Sequence, residues 1–122
     1  MDGDKSMDLV THFTTTSGLT GRLIEVRRDN SIGWWYRCGY VGVDKQSPLF
    51  GVEYNDEDHD LEDKIKVHGG LTFSDHFPDS DLWWFGFDTA HCFDSKDGGQ
   101  HEEYVIAQIE LLAAQIKDLE NV

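Results

Sequence analysis

The chain is short of cysteine, of proline and of positive charge. Two cysteines, Cys38 and Cys92, stand in 122 residues, too few for the disulfide framework of a small secreted domain. Nor do they form the C-x-x-C pair of a zinc knuckle; the count fits buried thiols in a reducing compartment as well as it fits one disulfide. Two prolines against twelve glycines argue against a Pro-rich linker and for tight turns. Ten Lys and Arg face 24 Asp and Glu, a net charge of −14. The densest basic group, Arg22, Arg27, Arg28 and Arg37, is too sparse to neutralise a row of phosphates, so direct binding to duplex nucleic acid is not expected. No apolar run approaches the ~18 residues of a membrane-spanning helix. The opening MDGDKSMDLV is acidic where a secretory signal is basic and then apolar. A cytosolic protein with no membrane partner is expected.

What is present is a core. Apolar residues make up 39% of the chain and include seven Phe, four Trp and four Tyr. That is enough for one domain over 1–122 without covalent staples, with residues 1–8 expected to fray. From Leu9 to Ile24, Thr and β-branched residues around Gly18 and Gly21 read as strand, turn, strand. RLIEVRR (22–28) carries a weak period of two, DNSIG supplies a turn, and WWYRCGYVGV (34–43) reads as a central strand. IKVHGGLTFS and LWWFGFD read as two further strands separated by DHFPDSD. The last twenty residues differ: Val105, Ile109, Leu112, Ile116 and Leu119 recur at four- and three-residue steps after Glu102 and Glu103, an amphipathic helix over 101–120. Strands followed by one helix predict an α+β fold, an antiparallel or mixed sheet with the helix packed on one face. The same stripe could instead serve as a homodimer seam.

Residues 44–66 form an acidic, irregular insertion. EYNDEDHDLEDK is too charged for a core and reads as a solvated loop. Asp56, Glu57, Asp58 and Asp60 could bind a basic partner surface. They lack the glycine and the twelfth-position glutamate of an EF-hand calcium loop.

Two pairs, Trp34–Trp35 and Trp83–Trp84, lie on separate predicted strands, where neighbours point to opposite faces. One Trp of each pair, Trp35 and Trp84, is therefore a candidate for an outward contact surface; burial of all four beneath helix and loops is the alternative. His68 precedes Gly69–Gly70, and in a regular strand Thr72 and Ser74 share its face. Asp88, His91 and Asp94 follow at three-residue steps. His68, Asp88, His91 and Asp94 make a ligand set suited to zinc or manganese, whose bound water would make a hydrolase. Without metal, His68 and His91 could act as acid and base on a phosphodiester, with Thr72 or Ser74 holding a phosphate oxygen. A purely structural polar network explains the same residues and is the preferred reading, with no cofactor. Neither a G-x-S-x-G elbow nor a phosphate-cradling glycine loop is present.

CGYVGV, SPLFG with EY, VHGGLTFS and WWFGFDTAH-x-x-D together resemble a small, largely uncharacterised family of phage and prophage proteins, over roughly residues 36–110. In that family a proline tends to follow the GYVGV-like strand, and a cysteine stands where this chain has Thr89; here the first position is Asp44. Those differences weaken any role for a thiol beside Asp88 and leave His68, Asp88, His91 and Asp94 in place. The resemblance implies a phage accessory protein in the host cytoplasm, engaged in host takeover or evasion of defence. Three functions are therefore carried forward. The first is a non-enzymatic inhibitor that binds a host defence protein through an acidic, nucleic-acid-mimicking surface or sequesters a signalling nucleotide. The second is a small phosphoesterase using His68, Asp88, His91 and Asp94; the third is a structural phage component.

Overall fold

The computed structural model describes residues 7–27, 35–89 and 101–121. Among the described residues there are five strands: β1 (Met7–Thr14), β2 (Thr20–Arg27), β3 (Trp35–Val43), β4 (Phe73–Asp75) and β5 (Trp83–Asp88). Two helices accompany them, α1 (Leu61–Lys64) and α2 (Glu102–Glu120). The strands form one antiparallel sheet in the order β1-β2-β3-β5-β4. This is the expected α+β class, with the aromatic β3 at the centre. β1 begins at Met7, so its first two residues lie inside the stretch expected to fray.

Register explains which residues meet. β3 pairs with β2 as Ile24↔Cys38 and with β5 as Val41↔Phe85. Alternation then sends Val41, Val43, Trp83, Phe85 and Phe87 to one face. There α2 lays down Val105, Ile109, Leu112, Ala113 and Ile116, all fully buried in the same core. The amphipathic stripe is therefore packed on the chain's own sheet, the first of its two expected uses. Polar ties fix the helix along its length. Glu110 accepts the Thr16 amide, Gln108 accepts the His68 amide, and Gln115 bonds both backbone groups of Lys66.

VHGGLTFS departs from expectation. Only Phe73–Asp75 is strand; before it the chain turns at Gly69 and Gly70, with φ of 69° and 80°. Two successive left-handed residues cannot continue a strand and require glycine, and the Gly70 amide closes the turn on the Val67 carbonyl. The insertion at 44–66 is a series of turns with one helical turn, α1, whose Leu61 joins the core together with nearby Ile65.

Candidate functional site

The opposite face of the sheet carries Arg22, Tyr40 and Trp84. The 75–82 turn closes over it. The Arg22 guanidinium lies 4.4 Å from the Phe77 ring centre and 4.5 Å from that of Trp84, and it bonds Asp79 at 3.3 Å. Phe77 stacks on Phe73, and both meet Tyr40 edge-on. Trp84 is left 1% exposed, and its indole N–H donates to Ser80 Oγ. The expected outward Trp84 surface is thus corrected: the turn covers it, and the slot beside it is filled by a cation and a ring. Trp83 faces the core and donates to the Val52 carbonyl. The side chain of Trp35 lies outside the described residues.

His68 does not share a strand face with Thr72 and Ser74, because the Gly69–Gly70 turn separates them. Its ring packs edge-on against Tyr104, with Nδ1 3.0 Å from the phenol oxygen, at the first turns of α2. Thr72 Oγ1 donates to Asp88 at 3.4 Å, and Asp88 stands opposite Cys38 in the register. Tyr40, two residues on, has its phenol pushed far above the ordinary range. Burial is the main cause, and Cys38, Tyr36 and Asp88 add to it; Tyr40 is neutral at any working pH. Ser74 is structural, accepting the Tyr54 amide and donating to Glu53. His91 and Asp94 lie outside the described residues. Among the described residues no group of three or more His, Cys, Asp or Glu is placed to hold a metal. Thr89 is fully buried; its hydroxyl donates to the Arg37 carbonyl at 2.9 Å and accepts the Arg37 amide at 3.3 Å. It locks the end of β5 to β3, a task for a hydroxyl.

The acidic segment is a built surface. Trp83 and Ser74 hold its start through Val52, Glu53 and Tyr54, while buried Leu61 and Ile65 anchor its end. Between them Asp56 accepts from the Asp58 amide and pairs with His59 at 2.8 Å. The His59 contact first, then the Asp58 amide, hold the Asp56 carboxyl below its ordinary value of 3.8. Asp60 sits at φ 57°, and its amide and carbonyl tie to Asp56 and Lys64. Of the four carboxylates expected to bind, that of Asp56 is tied within the loop, whereas exposed Glu57, Asp58 and Asp60 carry theirs at the surface, Asp60 shaping the loop through its backbone alone. Exposed Glu62 and Asp63 extend that free set. Sequence reasoning passed over those two, although the run EDHDLEDK contains them.

Two cavities lie elsewhere. One of about 330 Å³ is lined by Asp44, Ser47, Pro48, Lys117, Glu120 and Asn121; one of about 150 Å³ lies between Leu49, His59, Leu61, Lys64 and Leu119. Neither takes in His68, Asp88 or Trp84. Among the described residues no helix is long and apolar enough to cross a membrane. Comparisons with known proteins return no matching family model, no similar curated protein and no similar solved structure.

Proposed function

We propose that this protein is a non-enzymatic, phage-encoded inhibitor that docks its acidic 53–63 segment on the basic groove of a host defence protein in the host cytoplasm. One observation carries the reading. The free carboxylates of Glu57, Asp58, Glu62 and Asp63 stand on a segment pinned at both ends to the core. A disordered acidic tail would have to be ordered on binding; this segment already is, so less binding energy is lost to entropy. A net charge of −14 steers the molecule toward a basic partner and away from nucleic acid itself. The resemblance to phage and prophage proteins supplies the host context. A sequestered nucleotide is the less favoured form, since the aromatic slot at Trp84 is filled by Arg22 and Phe77.

The test is a binding titration against purified nucleic-acid-binding defence proteins, with Glu57, Asp58, Glu62 and Asp63 all changed to Lys. Those side chains make no internal bond, so the variant should keep the wild-type circular dichroism and lose binding by at least about tenfold for each 1.4 kcal/mol removed. Unchanged affinity in the folded variant would defeat the proposal.

A further inference from the structure

The sheet has two edges, and they are unlike. β4 is three residues long, and its Ser74 hydroxyl holds the 53–54 backbone across it. β1 is eight residues long with an unbroken register to β2 and no bulge. Asp8 near its start is its one carboxylate, and of the other usual protections of an edge strand it has no proline, no lysine and no interruption. The hairpin bond from the Thr15 amide to the Leu19 carbonyl fixes the phase. Alternate residues Phe13, Thr11 and Leu9 turn their backbone groups toward β2. Val10, His12 and Thr14 therefore turn their N–H and C=O groups away from the sheet, and among the described residues no strand takes them up.

We propose that this edge pairs with β1 of a second copy, antiparallel about a two-fold axis, to make a continuous ten-stranded sheet from two five-stranded ones. Charge selects the second copy over a basic segment of another protein. No Asp or Glu occurs between Asp8 and Glu25, although the chain holds 24 of them. Apart from Asp8 near its start, the edge strand β1 carries no acid, so two copies meet there with little repulsion and a basic strand finds little attraction. Val10, at 48% the most exposed large apolar side chain among the described residues, lies on this edge and is covered by the pairing. Outward backbone groups must meet outward backbone groups, so the axis passes through a residue. Placing it at Thr11 sets Val10 opposite His12 and Asp8 opposite Thr14, the register with the most complete overlap. The interface is isologous and closes at two copies, as most soluble oligomers do. It uses a different surface from the acidic segment and stands whether or not that segment binds a basic partner.

Sedimentation equilibrium of the full chain tests this directly. The expected result is a concentration-dependent rise from 13.9 kDa toward twice that mass. His12→Pro removes an N–H that β2 does not use and is tolerated at an edge; it should sediment as monomer with unchanged circular dichroism. Should that variant unfold, Val10→Lys, which adds an edge charge at an exposed site, decides in its place and is likewise expected to be monomeric. Amide exchange at Val10, His12 and Thr14 should slow as wild-type concentration rises. A wild-type monomer throughout the micromolar range overturns the proposal. So does a dimer that survives the folded variants, since Leu111 and Tyr104 on the outer face of α2 would then be its contact.

Discussion

A methyl group at position 39 would lie 2.6 Å from the Phe87 ring and 2.7 Å from Ile109, so β3 and α2 reach their separation only because glycine stands there. Gly39→Ala should cost about 1–3 kcal/mol by overpacking, read from urea unfolding; a wild-type midpoint would contradict the packing. Thr89 makes the opposite kind of contribution, through two bonds to the Arg37 backbone. Thr89→Val keeps the shape and removes both hydroxyl bonds, leaving the Arg37 carbonyl with the Thr89 N–H, for a loss of about 1–3 kcal/mol, and Thr89→Ser should restore most of it. Arg22 is 6% exposed between two rings while its partner Asp79 is 65% exposed. The exposed carboxylate adds little, and the ring contacts carry more, about 2 kcal/mol when desolvated. Arg22→Lys should therefore destabilise more than Asp79→Asn and shift Trp84 fluorescence; the reverse order would show that the ion pair dominates.

At the scale of elements, the sequence was most legible where one period ran long. α2 could be read because Val105, Ile109, Leu112 and Ile116 repeat over about three turns, and β3 because aromatic and β-branched residues run without a break. VHGGLTFS was misread as strand: its composition is that of one, but two left-handed glycines turn it, and a pattern of apolar residues carries no φ angle. Trp84 was readable only as one of two placements, outward or covered by a loop, for a related reason. Alternation places it correctly on the face away from α2, yet what covers that face is the 75–82 turn, a tertiary event that no local period records. The acidic segment was readable as charge and unreadable as a scaffold, because its anchors, Trp83 and Ser74, lie twenty to thirty residues away. Its internal lock makes a pH prediction. Asp56 has a folded pKa below its ordinary 3.8, so its contribution is complete above the unfolded value and is lost as pH falls through the folded one. An NMR titration should place the Asp56 carboxyl midpoint below 3.8, with the Asp58 amide exchanging faster on the acid side. A midpoint at or above the ordinary value would contradict the His59 contact.

For the whole molecule, charge and fold divide the labour. The helix face of the sheet makes the core, the far face is closed by a turn clasped through Arg22, and seven of the 24 acids are carried on a separate, anchored segment. Of the polar residues that first suggested chemistry, His68 meets Tyr104, Thr72 meets Asp88 and Ser74 meets Glu53, while His91 and Asp94 lie outside the described residues. Spacing could list those residues but could not tell a converging set from a dispersed one. What distinguishes the molecule is the fixed acidic face, and it makes the central claim open to one direct measurement. Labelled duplex DNA bound to a purified defence protein is titrated with this protein, and displacement is followed by fluorescence anisotropy at several salt concentrations. The wild type should displace the DNA less and less as salt rises, and the folded variant with Lys at 57, 58, 62 and 63 should not displace it. Displacement that is equal for both proteins, or insensitive to salt, would contradict it.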